Sequence, residues 1–287
     1  MYDILIIGSG PAGLSAALYT LRAGLSTVII GKDGGSLEKA EKIENYFGVT
    51  GAPSGKELIS TGRKQVADLG GEMITDEVTH VGWDGHFYVH TKETILEAAS
   101  VIFSTGAVRQ TAKIQGISDY EGKGISYCAV CDAFFYKNKN VAILGNGEYA
   151  LHELNELLPV VNSAVVCTNG MEANAEFPEH VDVIATSIKE VTGEDKVGQI
   201  VFKDDQKINI DGVFIALGSA TAVDLARKLG AVVEGNKIMV DEKMGTSIPG
   251  AFAAGDCVGG ILQVSVAVGE GAKAALSAIE FVRKQKK

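Results

Sequence analysis

The sequence predicts an α/β fold that contains two Rossmann-like nucleotide-binding domains. Two glycine-rich turns, at residues 8–13 and 145–150, each follow a short apolar strand and precede a stretch with apolar residues at helical spacing. Strand, turn, helix and strand in that order form a βαβ unit with parallel strands. The length of 287 residues also favours two domains, since a domain has roughly 150 residues.

Each element is predicted from the spacing of apolar residues and from the glycines that interrupt them. The predicted strands are residues 2–7, 26–30, 86–91, 99–103, 140–144, 164–167 and 248–254. The predicted helices are residues 14–21, 149–158 and 263–281.

The charge and cysteine content exclude several classes of protein. A formal net charge of −10 argues against nucleic acid, whose affinity depends on Lys and Arg contacts to phosphate, and against an anionic membrane surface. No apolar run is long enough to span a bilayer, and the first residues lack the basic leader of a signal peptide. Four cysteines are too few for a disulfide scaffold of this size, so we expect a cytoplasmic protein.

The first glycine motif is typical of a dinucleotide-binding turn. Gly8 would permit the tight turn, Gly10 would let the backbone approach a pyrophosphate, and Gly13 would let the helix pack on the strand. Asp33 lies 20 residues after Gly13, near the usual position of a ribose-binding acid, and Glu38 is a weaker candidate. A structural glycine turn that binds nothing is the alternative. The whole motif is Gly8-Ser9-Gly10-Pro11-Ala12-Gly13.

The second glycine motif, Gly145-Asn146-Gly147, lies in an acidic segment. Residues 140–188 contain no Lys or Arg and seven acids. NADPH needs a cation beside its 2′-phosphate, whereas NADH does not. We therefore expect no NADPH at this turn, and NADH is less strongly excluded. The seven acids are Glu148, Glu153, Glu156, Glu172, Glu176, Glu179 and Asp182.

The third motif is Cys128-Ala129-Val130-Cys131, followed by Asp132. Two residues between the cysteines suit a reversible disulfide, and Asp132 could pass a proton to a leaving thiolate or simply cap the turn. A zinc site would need two further ligands, and there is no second such pair, so no metal is expected. Cys167 and Cys257 are isolated, which is typical of small buried residues.

These segments together resemble the low-molecular-weight thioredoxin reductases. The resemblance rests on GSGPAG at residues 8–13, CAVCDAFFYKNKNVAILGNG at residues 128–147 and TSIPGAFAAGD at residues 246–256, and it extends along the chain. It implies a homodimer that reduces thioredoxin. It also implies an FAD domain, residues 1–112 and 246–287, interrupted by a smaller NADPH-domain-like insert, residues 113–245, that carries the cysteines.

The resemblance assigns roles to individual residues. Cys128 would be the exposed thiol that attacks thioredoxin, Cys131 would face the flavin, and Asp132 would donate the proton, although the sequence alone does not order the two cysteines. Ser36 stands where the family has Gln in the loop Gly34-Gly35-Ser36-Leu37. The residues implied to bind FAD are Gly8, Ser9, Gly10, Pro11, Ala12, Gly13, Asp33, Gly35, Ser36, Leu37, Asn45, Gly106, Gly255, Asp256, Gln263 and Val264.

The largest departure from the family is the missing arginine signature for NADPH. The chain is also short for the family, and both features resemble the ferredoxin-dependent flavin thioredoxin reductases, so reduced ferredoxin is the expected electron donor. Three alternatives remain open. They are a reductase with an atypical NADH or NADPH site, a thiol oxidase that passes electrons to oxygen, and an FAD-binding redox sensor without turnover.

Overall fold

The computed structural model describes residues 1–106 and 113–287, except for the side chain of Cys131. The strands are β1 Tyr2–Ile7, β2 Thr27–Ile30, β3 Glu72–Ile74, β4 Val78–Trp83, β5 Phe87–Thr91, β6 Ile95–Phe103, β7 Ile125–Ser126, β8 Asn140–Leu144, β9 Ser163–Cys167, β10 Asp182–Ile184, β11 Ile188–Gly193, β12 Val197–Phe202, β13 Lys207–Asn209, β14 Gly212–Ile215, β15 Val233–Glu234, β16 Lys237–Ile238 and β17 Ala251–Ala253. The α-helices are α1 Pro11–Arg22, α2 Gly55–Asp68, α3 Ala129–Asp132, α4 Glu148–Leu157, α5 Ala222–Lys228 and α6 Val264–Gln285.

The described chain forms two compact units, and one predicted domain boundary is wrong. The first unit contains residues 1–106 and 221–287, and the second contains residues 113–220. The segment 221–245, expected in the insert, belongs to the first unit. There, the Ala222 N–H donates to Thr105 Oγ1 at 2.7 Å, and Lys228 Nζ donates to the Thr79 carbonyl at 3.2 Å. The other predicted boundary, at residue 112, falls in a segment that lies outside the described residues.

A seven-stranded sheet forms the centre of the first unit. Its order is β3-β2-β1-β6-β5-β4, and β17 also pairs with β6. Strands β3, β2, β1, β6 and β17 are parallel, whereas β4 and β5 pair antiparallel. Strand β1 is buried through most of its length and carries isoleucines and leucine on both faces. That pattern is typical of a parallel strand that is covered on both sides.

Helix α6 packs closely against the start of α1. A Cβ on Gly271 would lie 2.1 Å from the Ala12 carbonyl oxygen, so only glycine allows this approach. The alanines Ala274, Ala275 and Ala278 of α6 are fully buried in the same core as Ala16 and Ala17 of α1. Within the described ranges no helix is both long enough and apolar enough to cross a membrane.

The second unit has its own parallel sheet and core. The order β10-β9-β8-β14-β7 is parallel throughout, and β11, β12 and β13 form a separate antiparallel sheet. The core includes Leu144, Phe202 and Val213. The α/β fold with Rossmann-like parallel sheets is therefore confirmed.

The two predicted βαβ units are confirmed, with small shifts at the ends. Strands β1 and β8 have the predicted bounds, and α1 begins three residues before the predicted start at residue 14, because Pro11 occupies its first turn. Proline suits that position since its missing N–H would have no partner there. The strand predicted at 248–254 is shortened to β17, and β6 is longer than predicted because its first half pairs with β5.

Candidate active site

The predicted cofactor-binding residues of the first unit follow the carboxyl ends of neighbouring parallel strands. The glycine motif follows β1, Asp33 follows β2, Gly106 follows β6, and Gly255 follows β17. Because these four strands are parallel and adjacent, the segments meet at one edge of the sheet. Open α/β sheets bind their ligands at this edge.

The first glycine motif has the geometry that its sequence predicts. Gly8 has a φ of +116°, and a Cβ there would lie 2.4 Å from the Ser104 carbonyl oxygen. A Cβ on Gly13 would lie 1.9 Å from the Gly8 carbonyl oxygen, so α1 can approach β1 only at a glycine. A Cβ on Gly10, in contrast, would have no neighbour closer than the Gly34 carbonyl oxygen, at 3.8 Å. The protein thus leaves room beside Gly10.

The start of α1 suits an anionic ligand. Gly10 is its N-cap residue without a side-chain cap, and the first turn carries no acid. The free N–H groups and the helix dipole favour a phosphate there. Arg63 on α2 reaches the same turn, with its Nη2 3.4 Å from Ser9 Oγ. The sequence gives no signal for Arg63, because the contact joins residues 54 positions apart.

Hydrogen bonds from Ser9 and to two of its own carboxylates hold the loop after β2 in place. Ser9 Oγ donates to the Asp33 carbonyl oxygen at 2.7 Å, and Asp33 Oδ1 accepts the Gly35 N–H at 2.8 Å. Glu38 Oε1 accepts the Gly34 N–H at 3.0 Å. Ser36 and Leu37 lie in a 3₁₀ helix, Gly35–Lys39. Asp33, Gly35 and Glu38 also line an open pocket beside this loop.

Two distant predicted residues come into direct contact. Asn45 Nδ2 donates to Gln263 Oε1 at 2.9 Å, although 218 positions separate them. Gln263 is the N-cap of α6, and Val264 is its first residue. The contact places both amides at the start of α6, as expected if they border one ligand.

The Gly255-Asp256 pair lies beside the start of α1. Gly255 has a φ of +82°, and a Cβ there would lie 3.0 Å from the Ala12 Cβ. Its N–H donates to Glu270 Oε2 at 2.8 Å. Burial raises the pKa of the Glu270 carboxyl. Glu270 was not predicted, because nothing in its local sequence distinguishes it from a surface glutamate.

The second glycine turn has a different charge environment. Glu148 occupies the first turn of α4, where α1 has no acid. Asn146 Nδ2 donates to the Glu172 carbonyl oxygen at 2.7 Å, and the Asn174 N–H donates to the Asn146 carbonyl oxygen at 2.6 Å. The segment after β9 therefore folds back onto the glycine turn and brings Glu172 beside it.

Cys128 lies two residues after the end of β7, at the carboxyl end of a parallel strand in the second sheet. It is disulfide-bonded. The Cys128 N–H donates to Ser126 Oγ at 3.1 Å, and Ser126 Oγ donates to Asp132 Oδ2 at 2.6 Å. The Asp132 N–H donates to the Cys128 carbonyl oxygen at 3.2 Å, which closes one helical turn. The side chain of Cys131 lies outside the described part of the chain.

Glu153 contacts the redox motif instead of the second glycine turn. It is 1% exposed, and its Oε2 accepts the Ala129 N–H at 2.6 Å. This corrects the prediction that groups Glu153 with the acids of a nucleotide site. Its place on the inner face of α4 explains the difference, since Leu154 and Leu157 are buried on the same helix.

The expected exposure of Cys128 is also corrected, because only 2% of its surface is accessible. Attack on a protein substrate by Cys128 thus requires that its side chain first be uncovered. By contrast, Phe134 and Phe135, which follow the motif, are 80% and 66% exposed. Two exposed aromatic rings beside a redox motif form an apolar surface of the kind that protein partners contact.

Cys167 and Cys257 are free, fully buried thiols. Burial raises the pKa of each to about 12. A thiol reacts as its thiolate, so we expect both to resist iodoacetamide at pH 8 in the folded protein. Mass spectrometry of labelled peptides should show no modification of Cys128 before its disulfide is reduced. Labelling of Cys167 or Cys257 before unfolding would contradict the burial. Among the residues that the structure describes, no group of three or more His, Cys, Asp or Glu is placed to hold a metal.

Comparisons with known proteins agree with this geometry. The family model described as pyridine nucleotide-disulphide oxidoreductase matches residues 2–271. A thioredoxin reductase from Aquifex aeolicus is 35% identical, and the match covers 100% of this chain and 95% of the relative.

Solved structures also resemble the whole chain. The atypical thioredoxin reductase TRi from Desulfovibrio vulgaris Hildenborough has a TM-score of 0.94 and 39% identity, with 99% of each chain covered. A ferredoxin-flavin thioredoxin reductase from Clostridium acetobutylicum has a TM-score of 0.72 and 33% identity, covering 100% of this chain and 99% of the other.

The fold, the disulfide next to a parallel strand and the dinucleotide-type turn thus coincide with whole-chain similarity to disulfide reductases. The room beside Gly10, the acid-free start of α1 and the nearby Arg63 fit the pyrophosphate of FAD. The chain therefore belongs to the pyridine nucleotide-disulphide oxidoreductase family, in which it is an FAD-dependent disulfide reductase of the thioredoxin reductase type.

Proposed function

We propose that this protein reduces thioredoxin with electrons taken from reduced ferredoxin and not from NADPH. The observation that carries the proposal is the acidic second glycine turn. Residues 140–188 supply seven acids and no Lys or Arg, Glu148 lies in the first turn of α4, and the backbone of Glu172 is hydrogen-bonded to Asn146. The resemblance further implies a cytoplasmic homodimer, and both features are part of the proposal.

The first unit would hold FAD through residues at the carboxyl edge of its sheet. The N–H groups at the start of α1 and the Arg63 guanidinium would bind the pyrophosphate. Asp33 would contact the ribose, and Asn45, Gln263 and Asp256 would border the rest of the cofactor. The remaining residues in this role are Gly8, Ser9, Pro11, Ala12, Gly13, Gly35, Ser36, Leu37, Gly106, Gly255 and Val264.

FAD, when bound, supplies a group that accepts electrons singly and passes them on as a pair. The chain's own residues carry out the rest of the reaction. Reduction of Cys128 and Cys131 to the dithiol takes two electrons and two protons. One thiol passes its proton to Asp132 and attacks the thioredoxin disulfide as the thiolate. The thioredoxin S–S bond breaks, a mixed disulfide forms, and the leaving thiolate takes that proton from Asp132. The other cysteine resolves the mixed disulfide and releases dithiol thioredoxin.

Charge argues against NADPH at the second turn. A 2′-phosphate carries close to two negative charges and is usually bound by arginine. Residues 140–188 supply no Lys or Arg. A like-charge contact near 4 Å costs on the order of 4 kcal/mol at an effective dielectric of about 20, which corresponds to roughly a thousandfold weaker binding. The space beside Gly147 is open, so charge and not steric blockage is the basis of the exclusion.

One of the two similar structures supports the same donor. The C. acetobutylicum protein is described as a ferredoxin-flavin enzyme, whereas the D. vulgaris protein is described as atypical, a word that names no donor. Because the cysteine pair and the first glycine motif are retained while the arginines are missing, the present chain shares the features that a ferredoxin-dependent reductase requires.

An anaerobic titration tests the donor. We expect reduced ferredoxin to bleach the flavin absorbance of the purified protein, and NADPH at micromolar concentration to leave it unchanged over minutes. NADH forms a third arm, and thioredoxin turnover with each donor is measured in parallel. Rapid bleaching by micromolar NADPH would overturn the proposal and restore an ordinary NADPH-dependent reductase. Bleaching by NADH alone would also contradict ferredoxin dependence.

A further inference from the structure

We propose that Ser126 is a positioning residue that fixes which oxygen of Asp132 carries the proton for the leaving thiolate. The inference rests on the proposed role of Asp132 as proton donor. Ser126 lies two residues before Cys128 and is not part of the redox motif.

The neighbouring polar atoms determine where the Ser126 hydroxyl donates its proton. Its oxygen accepts the Cys128 N–H at 3.1 Å. Its proton has two acceptors within reach, Asp132 Oδ2 at 2.6 Å and the Cys128 carbonyl oxygen at 3.4 Å. The shorter bond to a carboxylate is much the stronger, because hydrogen bonds to charged groups are shorter and stronger than neutral ones. Ser126 therefore donates to Asp132.

This donation decides where a proton can reside on the carboxyl group. Because Oδ2 already accepts the Ser126 hydroxyl, a proton bound by Asp132 is favoured on Oδ1. The same hydrogen bond stops rotation of the carboxyl group about its Cβ–Cγ bond. The acidic proton is thus held in one orientation relative to the backbone of the redox motif, in which a single helical turn joins Asp132 to Cys128.

Ser126 is itself held rigidly. It is 4% exposed and forms the end of β7, where it pairs with Phe214 of β14. Phe214 is 1% exposed. Although β7 is the edge strand of its sheet, a buried side chain that makes two hydrogen bonds varies little in position, which is what a positioning residue requires.

In the transfer step, one thiol of the reduced pair passes its proton to Asp132 and, as the thiolate, attacks a sulfur of the thioredoxin disulfide. The thioredoxin S–S bond breaks, a mixed disulfide forms, and the Oδ1 proton of Asp132 moves to the leaving thiolate. Without Ser126 the carboxyl group would rotate, and a smaller fraction of molecules would present the proton correctly. We expect Ser126→Ala to slow this step about tenfold, within the range of a hydrogen bond to a charged group.

The test uses enzyme that has been reduced beforehand with dithionite, so its result does not depend on the physiological donor. Oxidation by thioredoxin is followed in single turnover at increasing thioredoxin concentrations. For Ser126→Ala we expect a lower limiting rate and an unchanged half-saturating concentration. Ser126→Thr, which keeps the hydroxyl, should recover most of the rate. Ser100→Ala is the matched control, because it removes another fully buried serine hydroxyl, bonded to the Gly250 carbonyl oxygen at 2.7 Å.

A double-mutant cycle separates positioning from general structural damage. In an Asp132→Asn background, Ser126→Ala should cause no further loss, because the proton that it positions is gone. An equal loss in both backgrounds, or a loss matched by Ser100→Ala, would overturn the proposal. A wild-type rate for Asp132→Asn would overturn the role of Asp132 and the inference with it, whichever donor the titration identifies.

Discussion

Cys128→Ser is expected to abolish thioredoxin reduction while FAD stays bound. The residual rate should be at least about a thousandfold below that of the parent, because the covalent thiol–disulfide route is lost and no positioned group replaces the thiolate. The structure gives Cys128 a disulfide bond and places it beside Ser126 and Asp132. Thioredoxin turnover with the donor identified by titration gives the rate, and the absorbance ratio of flavin to protein gives the FAD content.

Cys167→Ala is the matched control for this variant. It also removes a buried cysteine of the second unit, but that thiol is free and its pKa is raised to about 12 by burial. We expect the control to keep parental turnover and Cys131→Ser to behave like Cys128→Ser. Substantial turnover of thioredoxin by Cys128→Ser would show that the electrons reach the substrate by another route.

Gly10→Ala is expected to weaken FAD binding by about tenfold to a hundredfold. Gly10 has a φ of −79° and a ψ of −174°, which alanine adopts without strain. A Cβ there meets no protein atom closer than 3.8 Å, so the variant should fold. The added methyl group would instead occupy the space that the pyrophosphate needs, and overfilling a fitted site costs roughly 1–3 kcal/mol. Fluorescence titration of the apoprotein with FAD measures the dissociation constant.

Gly147→Ala provides a control that the chain itself supplies. Gly147 is the N-cap residue of α4, as Gly10 is of α1, and a Cβ there would also meet nothing within 4 Å. If the second turn binds no nucleotide, this variant should keep parental FAD content and ferredoxin-supported turnover. A loss of FAD in Gly147→Ala equal to that in Gly10→Ala would refute the assignment of the first turn. A selective loss of NADH-supported turnover would instead reveal a nucleotide at the second turn.

The glycine positions were predictable because the local sequence shows where the backbone needs a residue without a side chain. Gly8 has a positive φ, and a carbonyl oxygen packs against Gly13. Where a strand turns tightly into a helix, both positions therefore require glycine. The same local logic predicted that Cys167 and Cys257 are buried, since isolated cysteines in apolar segments behave as small hydrophobic residues.

The domain boundary at residue 245 was not predictable in this way. Residues 221–245 have no local feature that assigns them to either unit. Their position is decided by contacts with residues more than a hundred positions earlier, such as Ala222 with Thr105 and Lys228 with Thr79. A capping box at Thr221 and Asp224 marks the start of α5, but a helix start does not reveal which core the helix will join.

By itself, therefore, the sequence determined the two βαβ units, the dinucleotide-type turn, the redox motif and the acidic character of the second turn. These properties depend on residues that are close together in the chain. Only the tertiary structure decided that Arg63 reaches Ser9, that Glu153 faces Ala129 and that Asn45 bonds Gln263. Such contacts depend on how separate elements pack, and the free energy of packing is shared among many distant residues, so no short segment records it.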